Sequence, residues 1–337
     1  MTATGLTRRT LLIDAPNLLV RSVFAMRGSP LSADGVPTGA LHTFILMLSR
    51  YIRAERPDNV VATWDGGRSV HRTALYDGYK AARREPGPDE PLRPFAQAKA
   101  FCTLAGIHQV EHLGVEADDL IAAYWRGKHS AERVTILSAD KDFLQLLDGW
   151  AEQIRPGTGV NERWTANRVR TEMGCKAEQI PAVMALTGDA IDGISGIPGF
   201  GTRTAVKMLL AHDWDLERVI AHGVHRGLPM SAHAVTIRRN LALVDLRTAI
   251  PGIDVAPAPR FVPTTPSSAA FPLLDRFLDR YELNAVRARL VGGTLWTDPL
   301  AQAVAPAQIQ GDLGLPFRRL GSPDPQAPPF LSSDLGH

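Results

Sequence analysis

The 337-residue sequence has only two cysteines, Cys102 and Cys175. That is too few for a disulfide framework or a cysteine-built zinc site. Two thiols in a chain of this size fit a reduced cytoplasm, each as a small buried apolar side chain. No stretch approaches the roughly 18 apolar residues of a membrane span, so no membrane partner is expected. An excess of one charge is also missing: 37 Lys and Arg against 35 Asp and Glu leave +2. Any affinity for a polyanion must therefore come from where the cations sit. Lysine is scarce, six against 31 arginines, which hints only at coding bias. What is present is a core-forming composition, 45% apolar and 21% charged, unlike that of a disordered chain. The opening Thr7-Arg8-Arg9-Thr10-Leu11-Leu12 faintly mimics an export signal, but Asp14, Pro16 and Asn17 break its apolar stretch. It reads instead as a basic lead-in to a β-strand, and the expected location is cytoplasmic.

Short apolar runs alternate with longer helical patterns, the signature of a parallel sheet wrapped by helices. The clearest strands are Thr10–Asp14, Val60–Asp65 and Val134–Asp140, with helical stretches at Thr38–Ala54, Leu92–Ala105 and Ala117–Lys128. From Ala177 onward helices dominate: Glu178–Leu186, Thr202–Ala211, Leu216–His222, Ala232–Leu243 and Phe271–Leu283. Residues 251–270 carry five prolines and read as a linker or loop. Beyond residue 292 the chain is rich in Pro and Ala without periodicity, and reads as a tail. The expected division is 1–176 for an α/β core, 177–291 for a helical module and 292–337 for the tail.

Each of the three apolar strands ends in an aspartate: Asp14, Asp65 and Asp140. A single such residue is ordinarily a turn or cap. Three parallel strands, however, bring three of them to one edge, the edge where open α/β sheets bind ligands. Glu116, Asp118 and Asp119 open the next helix, and Asp142 follows Asp140. Two carboxylates about 4 Å apart repel by roughly 4 kcal/mol at an effective dielectric near 20. Seven on one edge call for divalent cations, and an all-oxygen donor set selects Mg²⁺ or Mn²⁺, most simply as a pair. Asp189 and Asp192, spaced i and i+3 just before a glycine-rich segment, are further candidates for the same site.

The segment Gly196-Ile-Pro-Gly199-Phe-Gly201-Thr202-Arg203 lacks the spacing of a dinucleotide fingerprint and the Gly-Lys-Ser/Thr of a P-loop. It fits a helix–hairpin–helix, whose glycines make a tight turn and whose backbone N–H groups meet a DNA phosphate at the following helix. Arg203 and Lys207 stand where they could add phosphate contacts without reading sequence. Upstream, Arg68, Arg72, Lys80, Arg83 and Arg84 crowd into seventeen residues with Tyr76 and Tyr79 interleaved. Cations among aromatics suit single-stranded nucleic acid, the bases stacking on the rings. Tyr79 is accordingly expected at the DNA, together with Arg68 and Arg84.

In this order the segments LLIDAPNLLVRSVFA, TWDGGRSVHRTALYDGYKAARR, GVEADDLIAAY, ILSADKDFLQLL and ALTGDAIDGISGIPGFGTRTAVKMLL resemble the 5′-nuclease or flap endonuclease family. That family includes the 5′-nuclease domain of bacterial family A DNA polymerases, and the resemblance spans roughly residues 8–290. It implies a PIN-like α/β core with a mostly parallel central sheet flanked by helices. It also implies a helical arch around 68–95 and a C-terminal helix-3-turn-helix subdomain on the downstream duplex. By resemblance, Asp65, Glu116 and Asp118 hold one divalent cation with Asp14 nearby, and Asp140, Asp142 and Asp192 hold a second. Asp119 and Asp189 then stand behind the ligands. Lys80 and Arg83 match the family's GYKxxR segment and contact the scissile phosphate, with Arg72 at a neighbouring basic position. The family often binds K⁺ in the hairpin, here 196–201.

Two departures stand out: Ala15-Pro16 where the family has Gly after its first Asp, and Gly193 where it has Asn. The implied activity is structure-specific 5′-3′ exonuclease and flap endonuclease cleavage of DNA with 5′ flaps or free 5′ ends, RNA primers included, in replication and repair. The alternatives are a PIN-type ribonuclease and a catalytically weak structure-specific DNA-binding protein. In the tail, Gln310, Leu313, Leu315 and Phe317 loosely resemble a peptide that docks on the bacterial sliding clamp. With no oligomer interface legible, a monomer in the bacterial nucleoid or a phage-infected cell is the default expectation.

Overall fold

The computed structural model describes residues 7–26, 32, 35, 38–82, 94–157 and 160–297. Arg83, Arg84, part of the expected arch and the tail from 298, with the clamp-like segment, lie outside the described residues. Strand β1 (Arg8–Asp14) runs parallel to β2 (Asn59–Trp64) on one side and to β4 (Glu132–Leu137) on the other. Every residue of β2 and the last five of β1 are buried, as a strand covered on both faces requires. That is why these two runs were continuous and apolar in the sequence. Strand β3 (His108–Glu111) flanks β2, while β5 (Ala151–Arg155) and β6 (Glu162–Trp164) extend the β4 side. Only β6 is antiparallel, which gives the order β3-β2-β1-β4-β5-β6. From β1 the chain builds first toward β2 and β3, then returns to place β4 on the other side. The sheet therefore changes direction at β1, and the crevice beyond the ends of β1 and β4 is where such a fold takes a ligand.

Helices α1 (Ala15–Ala25), α2 (Thr38–Glu55) and α4 (Phe95–Leu104) cover one face through Leu18, Leu41, Phe44 and Phe101. On the other face α5 (Ala117–Gly127) buries Ile121 and Tyr124 against Leu12, Val61 and Ile136. A separate core unites α6 (Ala166–Met173), α7 (Ile180–Thr187), α8 (Thr202–Ala211), α9 (Leu216–His222) and α10 (Ala234–Val244) around Leu186, Ile197, Phe200 and Leu209. Short α3 (Val70–Leu75), capped by the Ser69 hydroxyl, leads from the sheet into this module.

The C-terminal boundaries differ from expectation. Residues 251–270, read as a linker or loop, form an irregular strap that is hydrogen-bonded to the α/β core. Phe261 N–H donates to Asp58 (2.8 Å) and Thr264 N–H to Ala105 (3.2 Å). The strap delivers α11 (Phe271–Arg280) and α12 (Asn284–Val291) to the first core, where Leu274, Leu278, Val286 and Leu290 are buried. Leu295 and Trp296, placed in the tail by composition, are buried too, and the Trp296 indole donates to Thr264 O (3.0 Å). Residues 177–291 thus divide between two cores, because the amphipathic face of α11 finds its partner on α4.

Candidate active site

Asp14, the last residue of β1, caps α1 by accepting the Asn17 N–H (3.2 Å) and also accepts the Ser138 hydroxyl (2.7 Å). Burial pushes its pKa up to about 7, helped by the charges of Asp140 and Asp65 and opposed by the two hydrogen bonds. Ala15-Pro16 is accounted for here: both residues are buried in the first turn of α1, where proline's fixed φ and missing N–H are at no disadvantage. Asn17 in turn accepts from Ala139 N–H (3.1 Å) and so ties the loop beyond β4 to α1.

Asp65 follows β2 directly and accepts the Ala117 N–H (2.8 Å), which fixes it to the start of α5. Glu116 occupies the N-cap position of α5, with Asp118 and Asp119 in its first turn. Each of these three offers an oxygen within 4.8 Å of the others. The protein supplies them with counter-charge. The Arg72 guanidinium lies 2.7 Å from Glu116, 2.8 Å from Asp119 and 3.4 Å from Asp118, while its Nε donates to Leu243 O (3.0 Å) at the end of α10. Lys80 Nζ stands 2.6 Å from Glu116 and 3.6 Å from Asp192. Burial would raise Asp118, but the charges of Arg72 and Lys80 prevail and its pKa is lowered. In Asp119, burial and the adjacent Asp118 outweigh Arg72 and push the pKa up to about 7.

The remaining carboxylates have less support. Asp140 caps the 3₁₀ helix Lys141–Leu146 by accepting the Asp142 N–H (3.0 Å). Both pKa values are raised, chiefly by burial; for Asp142 the charges of Asp140 and Asp189 add to it. Asp142 Oδ1 is buried without a hydrogen-bond partner among the described residues. Asp189 is buried, pairs with Lys141 (2.9 Å) and accepts the Ile191 N–H (3.0 Å). Asp192 stands between the two groups, accepting from the Tyr79 hydroxyl (3.3 Å) while its backbone carbonyl accepts the Lys80 N–H (2.9 Å). Gly193, the second departure, has φ +71°, and a methyl there would meet Gly78 O at 2.7 Å. Its missing side chain lets the Tyr79–Lys80 turn lie directly against Asp192.

Two expectations are corrected. Tyr79 is not a base-stacking platform: it is 1% exposed, with its hydroxyl donating to Glu116 (2.8 Å) and its ring against Lys80 Nζ (4.9 Å). Arg72, expected among the phosphate-facing cations, is 4% exposed and spends its donors on Glu116, Asp119 and Leu243. Both were misplaced for one reason. A cation-rich, aromatic-containing stretch reads as solvated surface, and nothing in it shows that carboxylates 40 residues away fold over it. Arg68 is exposed. Gly196, Gly199 and Gly201 lie in the turn that follows the short strand Ile194–Ser195, which pairs with Gly188–Asp189, and Thr202, Arg203 and Lys207 lie on α8 itself.

Sequence reasoning missed Ser138 and Gln145. Ser138 holds Asp14, and Gln145 donates to Val244 O (3.0 Å) while accepting Leu246 N–H (2.9 Å). A polar residue inside the apolar run before Asp140 was the available signal for Ser138. The whole donor set is oxygen, burial raises the pKa values of Asp14, Asp65, Asp119, Asp140 and Asp142, and one buried carboxylate oxygen has no partner among the described residues. That chemistry fits hard divalent cations.

Residues 9–174 match the family described as 5′-3′ exonuclease, N-terminal resolvase-like domain. The chain is 37% identical over 202 residues to a 5′-3′ exonuclease of Aquifex aeolicus, covering 59% of this chain and 68% of that protein. It is 29% identical over 310 residues to DNA polymerase I of Mycobacterium tuberculosis, covering 89% of this chain but only 33% of the polymerase. Among solved structures, the bacteriophage T5 D15 flap endonuclease in a complex with DNA and metal ions superposes with TM-score 0.59 at 21% identity, covering 82% of this chain and all of that one. The catalytic core of Rad2 with a DNA substrate gives 0.54 at 15% identity, covering 85% and 94%. These two likenesses establish the PIN-like α/β fold described above. With that fold, these carboxylates and the Aquifex relative, the chain belongs to the 5′-3′ exonuclease family.

Proposed function

We propose that this protein is a structure-specific 5′-3′ exonuclease and flap endonuclease that hydrolyses DNA phosphodiester bonds with two Mg²⁺ or Mn²⁺ ions. One observation carries the reading: carboxylates from β1, β2, the start of α5, the 140–142 turn and the 189–192 turn converge at the sheet's change of direction. Asp65, Glu116 and Asp118 would hold one cation and Asp140, Asp142 and Asp192 the other, with Asp14 near the first and Asp119 and Asp189 behind. Bound there, such ions lower the pKa of an attacking water and neutralise charge on the phosphate. Lys80, between Glu116 and Asp192, supplies a fixed positive charge toward the scissile phosphate. Arg83 joins it in contacting that phosphate and Arg84 binds the DNA, as the family resemblance implies. Arg72 and Tyr79 hold Glu116 and Asp119 in orientation from within.

The hairpin at 196–201, with Arg203 and Lys207, grips the duplex backbone and takes a K⁺ in its turn, and Arg68 lies on the single-strand side. Products carry 5′-phosphate and 3′-hydroxyl ends. The partner is DNA with a 5′ flap or free 5′ end, the chain acts as a cytoplasmic monomer, and residues 310–317 offer a peptide for a sliding clamp. The test is a 5′-flap DNA labelled on the flap. A flap-length product from wild type with Mg²⁺, and none with EDTA or from Asp118→Ala, is the expected result. Tight binding with no cleavage in either Mg²⁺ or Mn²⁺ would replace the enzyme with a DNA-binding relative.

A further inference from the structure

The strand pair Val224–His225 and Leu228–Pro229 makes a second, smaller hairpin in the helical module. Its tip, Arg226-Gly227, has φ of +50° and +78°, the left-handed pair of a two-residue turn. Two contacts set this turn on the glycine-rich hairpin. The His225 ring packs on Phe200 with centroids 4.3 Å apart. The Arg226 guanidinium lies over Gly199, where a methyl group would come within 2.6 Å of its central carbon. Gly199 has φ +82° and is exposed, so the arginine covers backbone at the surface of the turn rather than filling a core.

Arg226 is exposed and makes no ion pair or hydrogen bond among the described residues. Arg203 and Lys207, one turn apart on α8, are exposed and likewise without such partners. Two other exposed cations of the same module are neutralised: Arg218 pairs with Asp213 (2.7 Å) and Arg238 with Glu217 (2.5 Å). Gly201 caps α8 without a side-chain hydrogen bond, so the first N–H groups of α8 have no side-chain acceptor at the cap.

We infer that Arg226 is a phosphate-binding residue of the duplex interface. It reaches across from the second hairpin so that the glycine turn, the start of α8 and three uncompensated cations from two elements form one anion-binding face. The inference rests on the reading of 196–207 as the duplex grip and extends it to a residue outside that motif. Through a guanidinium, the contact is to backbone oxygens and independent of sequence. The laid-down position on Gly199 keeps the side chain ordered before DNA arrives, which reduces the ordering cost of binding.

The experiment is fluorescence anisotropy of a labelled 5′-flap duplex with full-length protein in Ca²⁺, across a range of KCl. Wild type, Arg226→Ala, Arg226→Lys and Arg238→Ala are compared. Arg226→Ala is expected to weaken binding about fivefold at moderate salt and to reduce the slope of log K against log[KCl] by about 0.9, the loss of one phosphate contact. Arg226→Lys restores the slope, which a merely structural role for the turn would not do. Arg238→Ala, which removes the same formal charge from a neutralised position, leaves slope and affinity at wild-type values. Equal slopes for wild type and Arg226→Ala, or equal losses in Arg226→Ala and Arg238→Ala, overturn the contact while leaving the hairpin reading intact. Failure of wild type itself to prefer duplex-containing DNA over the single strand overturns the underlying reading instead.

Discussion

The two carboxylate groups at the sheet edge have similar composition but opposite support. Glu116, Asp118 and Asp119 are met by Arg72, Lys80 and the Tyr79 hydroxyl, all within hydrogen-bond or ion-pair reach. Asp140 and Asp142 have no basic side chain within ion-pair distance among the described residues, and burial raises both pKa values with no guanidinium beside them. Nearby Asp189 has half-exposed Lys141 as its basic partner among the described residues. The difference separates two jobs. The first group is held in shape by the protein's own cations, whereas the second is left with an electrostatic deficit that the proposed divalent ion would fill.

The largest expected effect on this contrast comes from its ligands. Asp118→Asn should lower flap cleavage by more than about 100-fold, beyond the 10- to 100-fold typical of losing a ligand's supporting partner. Binding of the same DNA in EDTA should persist, and cleavage at the wild-type rate would remove Asp118 from the site. Next is Arg72→Gln, which leaves Glu116 and Asp119 buried without their guanidinium. It should destabilise the metal-free protein by about 3–5 kcal/mol in urea titrations. A change below about 1 kcal/mol would mean that Arg72 does not carry the first group.

The pH dependence sharpens the same comparison. Asp14 and Asp119 are ordinary carboxylic acids in the unfolded chain and titrate near 7 in the fold. Between those values the folded state binds more protons than the unfolded state, so stability falls as pH rises from about 4 to 7. Metal-free protein should thus melt at a higher temperature at pH 5.5 than at pH 7.5, and added Mg²⁺ should help more at pH 7.5. A rising melting temperature over that interval in EDTA would contradict the assignment. The smallest effect is that of Tyr79→Phe. It should cost about 1 kcal/mol of stability for the hydrogen bond to Glu116 and leave single-strand affinity intact. A loss of about 1–3 kcal/mol in DNA binding would instead restore Tyr79 as a stacking platform.

The parts of the fold legible in the sequence were those with a strong period or a complete motif. β1, β2 and β4 are legible as buried apolar runs, and the aspartates at or after their ends mark the sheet edge. By contrast, β3, with residues His108–Glu111 half-buried or exposed, and β5, with only Ala151 and Ile154 apolar among its five residues, carry too little apolar signal to stand out. The return of α11 and α12 to the first core was hidden by the five-proline strap. Strap and linker have the same composition, and only the hydrogen bonds of Phe261 and Thr264 distinguish them. At the site, chemistry at fixed spacing was readable, but pairing across the chain was not. Arg72 and Arg68 are alike in sequence, yet one is enclosed by carboxylates and the other faces solvent.

The most direct test of the account is a Mn²⁺ titration followed by electron paramagnetic resonance on wild type, Asp118→Asn and Asp142→Asn, without DNA. The division into a supported and an unsupported group predicts two bound ions in wild type and one in each variant. Their residual affinities should differ, because each variant removes a different site. A single ion in all three proteins, or two retained in either variant, would contradict it.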